Sequence, residues 1–152
     1  MPNVLLVEDD GFKSDDIHAL LDTMGVPPAM RYAKSVSEAI AAIKERPFDL
    51  IVLDMALPSH TATPGAGAPL SLLTGGLEVL FELQSLARGD PCVVVTQYPE
   101  IEICGIFYPV ALAAAAIETQ YDIRIAGCVE YSDSSTQWRA TLKAIYNKLC
   151  IS

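Results

Sequence analysis

Phe48-Asp49-Leu50-Ile51-Val52-Leu53-Asp54, continuing into Met55-Ala56-Leu57-Pro58, is the stretch on which the fold turns. Leu, Ile and Val follow one another without polar alternation, as required of a strand covered by helices on both faces. The run then ends abruptly on a carboxylate. Working outward, four more short segments read as strands: Asn3–Val7 (NVLLV), Met30–Ala33 (MRYA), Cys92–Val95 (CVVV) and Gly127–Tyr131 (GCVEY). The segments between them carry helix spacing. Ile17, Leu20, Leu21 and Met24 share one face, with Gly25 as a stop and Pro27-Pro28 beyond it. Ser35 and Glu38 form a capping-box pattern ahead of Ala39, Ile40 and Ile43. Leu77, Leu80 and Phe81 open a third helix, Ala-rich Val110–Ile117 is a fourth, and Trp138, Leu142, Ile145, Tyr146 and Leu149 mark the last. Strands alternating with helices predict an α/β fold, a doubly wound five-stranded parallel sheet with right-handed crossovers.

The chain has 152 residues, 51% of them hydrophobic and 19% charged, which suits one compact domain with a real core. Ten Lys plus Arg stand against 19 Asp plus Glu, a formal charge of −9. A field of that sign opposes direct DNA binding and attachment to anionic membranes, both of which need positive surface. The opening MPNVLLVEDD lacks a basic region and meets acids after a few apolar residues, so no secretory signal is expected. Ile103–Ile117, the most apolar later stretch, is broken by Gly105 and Pro109 and is too short to cross a bilayer. Cys92, Cys104, Cys128 and Cys150 have no CxxC spacing, which predicts reduced thiols and a cytoplasmic protein.

In a doubly wound sheet, ligands bind beyond the carboxyl ends of the strands. Here those ends are acidic: the first strand runs into Glu8-Asp9-Asp10 and the central one into Asp54, while CVVV leads to Thr96. Acids converging on one spot repel one another unless a cation joins them. Hard oxygen donors in that number suit Mg²⁺, which takes one or two carboxylates together with phosphate oxygens. Phosphoryl chemistry on or near a carboxylate is the implied reaction.

The motifs VLLVEDD, DLIVLDMALP, VVVTQ and GCVEY, in that order and each at a strand end, resemble the receiver domain of two-component response regulators. The resemblance spans Asn3 to Leu149. It implies a flavodoxin-like receiver fold, as a single receiver-like domain over 1–152 with insertions at about 59–75 and 99–121, after the third strand and around the fourth helix. It implies that Asp54 accepts a phosphoryl group, that Glu8, Asp9 and Asp54 hold Mg²⁺ with the Ala56 backbone carbonyl, and that Pro58 keeps the family pattern. Thr96 becomes the switch hydroxyl and Tyr131 the aromatic that follows it inward. The implied partners are a sensor histidine kinase or phosphotransfer protein and a downstream protein. A homodimer through the fourth helix, last strand and last helix is a further expectation, with apolar Ile101–Ile117 as its surface.

One departure stands out. Receivers carry a Lys shortly after the last strand, and this chain offers Ser134-Ser135 or Tyr131 there, depending on alignment, beside acidic Asp133. Arg124 and Arg139 are the nearest cations in sequence. The alternative function is therefore a pseudo-receiver, an interaction or dimerisation module that is not phosphorylated. Enzymatic activity is not expected: HExxH, GxSxG and a Gly-rich phosphate loop are absent, and a phosphatase-like reaction would want a second Asp where Met55-Ala56 stand. His18 is expected on an exposed helix face and His60 in the loop beside the site.

Overall fold

The computed structural model describes residues 1–60, 71–72 and 75–151. Five strands, β1 (Asn3–Val7), β2 (Ala29–Ala33), β3 (Leu50–Leu53), β6 (Cys92–Thr96) and β9 (Gly127–Glu130), form a parallel sheet. Its order is β2-β1-β3-β6-β9. Two short antiparallel pairs lie outside it: β4 (Leu57–Pro58) with β5 (Ser71–Leu72), and β7 (Glu100–Ile103) with β8 (Ile106–Pro109). The helices are α1 (Gly11–Asp22), α2 (Val36–Glu45), α3 (Gly75–Ser85), α4 (Val110–Tyr121) and α5 (Gln137–Tyr146), with a last π turn over Asn147–Ile151.

The sheet separates two cores, and strand alternation sorts the side chains between them. Val4, Leu6, Val52, Val93 and Val95 pack with Ile17 and Leu21 of α1 and with Trp138, Leu142 and Tyr146 of α5. Leu5, Val7, Ile51, Leu53 and Val94 pack with α2, α3 and α4. The expected five-stranded doubly wound sheet is therefore present. β3 begins two residues later than the apolar run suggests, because the Phe48 amide donates to Asp90 Oδ2 at 2.8 Å and the Asp49 amide to the Asn3 carbonyl at 2.8 Å.

The stretch before α4 differs more. Ile101 and Ile103 are buried against α4, and the hairpin turns at Cys104 (φ 53°) and Gly105 (φ 78°). Two consecutive left-handed residues match the twist of a tight hairpin. The apolar segment is accordingly split. Ile101, Ile103, Val110, Ala113, Ala116 and Ile117 are interior, while Ile106, Phe107 and Leu112 face out at 54%, 61% and 57% exposure. The expectation of one surface patch over Ile101–Ile117 is corrected to these exposed residues, because alternation in β7 and helical spacing in α4 turn the others inward. Most of the loop-like segment after Pro58, residues 61–70 and 73–74, lies outside the described residues.

At the edge of the sheet opposite the acidic strand ends, Arg88 closes the loops. Its guanidinium donates to both Asp90 oxygens, at 2.9 and 2.7 Å, and to the carbonyls of Ile43 and Arg46 at 2.7 and 3.0 Å. Burial alone would raise the Asp90 carboxyl, yet Arg88 and the Phe48 amide outweigh it and the net shift is downward. A carboxyl held lower in the folded state than in the unfolded one stabilises the protein fully above the usual carboxylate range, and that stability is lost as pH falls through the folded value. Asp90→Ala should cost about 2 kcal/mol at neutral pH, the scale of hydrogen bonds to a charged group. Urea melts run from neutral to acid pH check this: the gap to wild type should shrink as the pH drops.

Candidate functional site

Sheet register builds the site. Val7 pairs with Leu53 and Leu53 with Val94, so β1 and β3 end side by side and β6 runs two residues further, to Thr96. Val7 and Leu53 face the α2–α4 core, and the next residue in each strand, Glu8 or Asp54, tips toward α1. The Glu8 amide donates to the Ala33 carbonyl at 2.9 Å and the Asp54 amide to the Val7 carbonyl at 3.1 Å. Both carboxylates are buried, at 4% and 2% exposure. Asp9 is exposed but close: Glu8, Asp9 and Asp54 each present an oxygen within 4.8 Å of the others.

Asp10 does different work. It caps α1, its Oδ1 accepting from the Phe12 and Lys13 amides at 2.9 and 3.3 Å. That cap starts the helix so that Lys13 falls on the buried stripe with Ile17, Leu20 and Leu21. Lys13 is 2% exposed. Its Nζ lies 2.8 Å from Glu8 Oε2, 3.4 Å from Asp54 Oδ2 and 3.1 Å from Gln97 Oε1, and 5.9 Å from the centre of the Tyr131 ring. An ammonium has three N–H donors, and three side-chain acceptors converge on this one.

One ammonium does not neutralise the cluster. Burial is the largest influence on Glu8 and, with the neighbouring Asp54 charge, outweighs Lys13, pushing its pKa from 4.5 to about 8. Asp54 is also raised, again chiefly by burial and against the pull of Lys13. Asp54 Oδ1 accepts a long bond from the Ala56 amide at 3.4 Å, whereas Oδ2 is buried with no hydrogen-bond partner. Buried carboxyls held this high, one with an orphaned oxygen, are an oxygen donor set short of positive charge, and this fits a divalent cation.

The loop carrying Asp54 is clamped from α3. The Gly76 amide donates to the Met55 carbonyl at 2.9 Å, and a Cβ on Gly76 would lie 2.6 Å from the Asp54 carbonyl oxygen. Ala56, proposed from the resemblance as a backbone ligand, sits in this same loop, half-buried. Thr96 ends β6 fully buried, its Oγ1 accepting from the Tyr98 amide at 3.2 Å. Met55, Thr96, Ile101 and Phe107 line a cavity of about 240 Å³. Tyr131 follows β9 directly: its amide donates to the Thr96 carbonyl at 2.7 Å, its hydroxyl to Asp16 Oδ2 at 2.6 Å, and its ring lies 4.9 Å from that of Trp138. It thus packs on the α1–α5 face, already inside.

The sequence-derived cations do not reach the acids. Arg124 is 85% exposed and pairs with Glu118. Arg139 stacks on Trp138 and approaches Asp16. Ser134 and Ser135 are exposed. His18 pairs with Asp22 and Tyr32 on the surface, and His60 bonds Ser59. Lys13 and Gln97 were the residues not anticipated. The signal for Lys13 was a charged residue at a core position of an amphipathic helix, one turn before Ile17; Gln97 carried none.

A parallel sheet in this order, with acids crowded at its carboxyl rim, is the receiver architecture, and the chain belongs to the response regulators. It is 39% identical over 139 residues to the Detocs response regulatory protein DtcB of Vibrio alginolyticus, a match covering 90% of this chain and 93% of that protein. No family model matches. Among solved structures, the phosphorylated cyanobacterial phytochrome response regulator RcpA superposes with TM-score 0.65 at 23% identity, covering 97% of this chain and 93% of that one. The Mn²⁺-bound form of response regulator Rcp1 superposes with TM-score 0.66 at 20% identity, covering 100% and 97%.

The close approach of α3 to the acid loop has a measurable consequence. Gly76→Ala must displace the backbone of Asp54 or Met55, and should destabilise the fold by about 1–3 kcal/mol, the usual cost of overpacking. Equilibrium urea unfolding measures it.

Proposed function

We propose that this response regulator accepts a phosphoryl group on Asp54 from the phosphohistidine of a sensor histidine kinase or phosphotransfer protein, with Mg²⁺, and passes the signal to a protein partner. The observation that carries the reading is the Asp54 Oδ2 atom, buried, without a hydrogen-bond partner, and facing the one ammonium of the site. An Asp54 oxygen bonds to phosphorus as the donor's phosphorus–nitrogen bond breaks, and the imidazole leaves with the electron pair. Glu8, Asp9 and Asp54, with the Ala56 carbonyl, are the residues to hold the cation, which when bound neutralises charge on the transferring group.

The residues around the acid then carry the consequence. An acyl phosphate adds charge and strong acceptor oxygens. Thr96 is the switch hydroxyl: its Oγ1 accepts from the Tyr98 amide while its O–H is free to donate to those oxygens, so a shift of Thr96 is felt by the segment leading into the β7–β8 hairpin. Tyr131 is the second switch candidate, and any movement of it must break its bond to Asp16. The outward residues of the hairpin and α4, Ile106, Phe107 and Leu112, are the face through which the change is read. Among the described residues no helix is long and apolar enough to cross a membrane.

The pseudo-receiver reading is favoured by one observation, the uncharged Tyr131 at the end of β9. Intact-mass measurement after incubation with acetyl phosphate and Mg²⁺ separates the two. A phosphoryl adduct on wild type that is absent from Asp54→Asn and from samples with chelator supports the acceptor; an unmodified wild type leaves the interaction module. For the docking face, light scattering on the wild type should give a mass above one chain, reduced to one chain by Ile106→Ser with Phe107→Ser. A wild type that stays monomeric removes self-association through this face.

A further inference from the structure

We propose that Lys13 is the cation that faces the phosphoryl group, delivered to Asp54 from the first turn of α1. The inference rests on Asp54 being the acceptor and adds a residue to that site. Among the described residues, Lys13 is the one cation that contacts the acids. The segment after β9 presents Tyr131, Ser132, Asp133, Ser134 and Ser135, none of them positive. Arg124 and Arg139 are held by Glu118 and by Trp138 with Asp16. The Tyr131 ring just past β9 packs on Trp138, and the Lys13 ammonium lies over it, 5.9 Å from its centre.

The contacts of Lys13 are unequal in a way that fits this role. Glu8 Oε2 at 2.8 Å is the close anchor, and Gln97 Oε1 at 3.1 Å is a neutral second. Asp54 Oδ2, at 3.4 Å, is the longest of the three and accepts no hydrogen bond. A phosphoryl group on Asp54 brings oxygens into the neighbourhood of that loosely held side of the ammonium. With its stem buried and its helix start capped by Asp10, Lys13 has little freedom to turn elsewhere, so the charge is preorganised. Gln97 directly follows Thr96, so an ammonium that exchanges Gln97 for phosphoryl oxygens also releases the loop that the switch hydroxyl must move.

The competing role is structural: Lys13 simply offsets two buried acids. The experiment compares wild type, Lys13→Met, Lys13→Arg and Asp54→Asn, each checked for fold by circular dichroism. Mn²⁺ affinity is read by electron paramagnetic resonance, and loading by acetyl phosphate with Mg²⁺ by intact mass. Removing an ammonium from among carboxylates does not weaken their attraction for Mn²⁺, so Lys13→Met should bind Mn²⁺ at least as tightly as wild type. Its loading rate should fall roughly tenfold or more, the scale of one charge-assisted bond, and Lys13→Arg should recover part of it. A folded Lys13→Met that loads within about twofold of wild type overturns the inference while the acceptor reading stands, since a tenfold effect is what one such bond implies. Loss of Mn²⁺ binding together with loading, or an arginine no better than methionine, overturns it in favour of the structural role. A wild type that never loads sinks the acceptor and this inference together. A further readout needs no variant: the ¹⁵N–¹H correlation of the Lys13 ammonium should shift when beryllium trifluoride is added to Mg²⁺-saturated wild type, and an unmoved resonance overturns the proposal.

Discussion

The Lys13 ammonium, wedged between the buried carboxylates of Glu8 and Asp54, is the contact on which the rest of this molecule depends. Two acids at the ends of adjacent parallel strands cannot be taken out of water without compensation; the effective cost is several kcal/mol per ion. Lys13 offsets part of it. What remains shows in both acids, each still held above its ordinary value by burial. The site therefore keeps a standing demand for positive charge.

Holding that arrangement occupies much of the fold. The register of β1 against β3 puts Glu8 beside Asp54, the Asp10 cap aims Lys13, and Gly76 lets α3 press on the Asp54 loop without a Cβ in the way. The two cores then serve different ends. The α1–α5 side carries Lys13, Tyr131 and Trp138 and is packed and hydrogen-bonded around the acids. The α2–α4 side carries the hairpin and the exposed apolar residues beyond it. Thr96 and Gln97, at the end of β6, sit where these halves meet: one bonds the Tyr98 amide leading to the hairpin, and the other bonds Lys13.

Where the resemblance led to an expected lysine the chain has Tyr131, just past β9, and among the described residues Lys13 is the cation that contacts the acids. Tyr131 occupies the end of β9, with its hydroxyl on Asp16 of α1, and the neighbouring turn of the same helix supplies Lys13. The ring is held by the end of β9, Trp138 and Asp16, and the ammonium by the first turn of α1.

The strands, the helices and their alternation were legible in the sequence because apolar periodicity is a local property: LIVL, VLLV and CVVV announce buried strands wherever they occur. The acids were legible too, since a carboxylate ending a buried run stands out. The β7–β8 hairpin could have been read from the alternation in Glu100-Ile101-Glu102-Ile103 and the Cys104-Gly105 turn, but the apolar weight of the segment hid its period. Only the tertiary structure decided which cation serves the acids. Lys13 and Asp54 are far apart in the chain, and the sheet register and the α1 packing angle that bring them together depend on contacts spread over every element. Pairing across such a distance leaves no trace in local pattern, because nothing about a lysine in a helix says which carboxylate its end will meet.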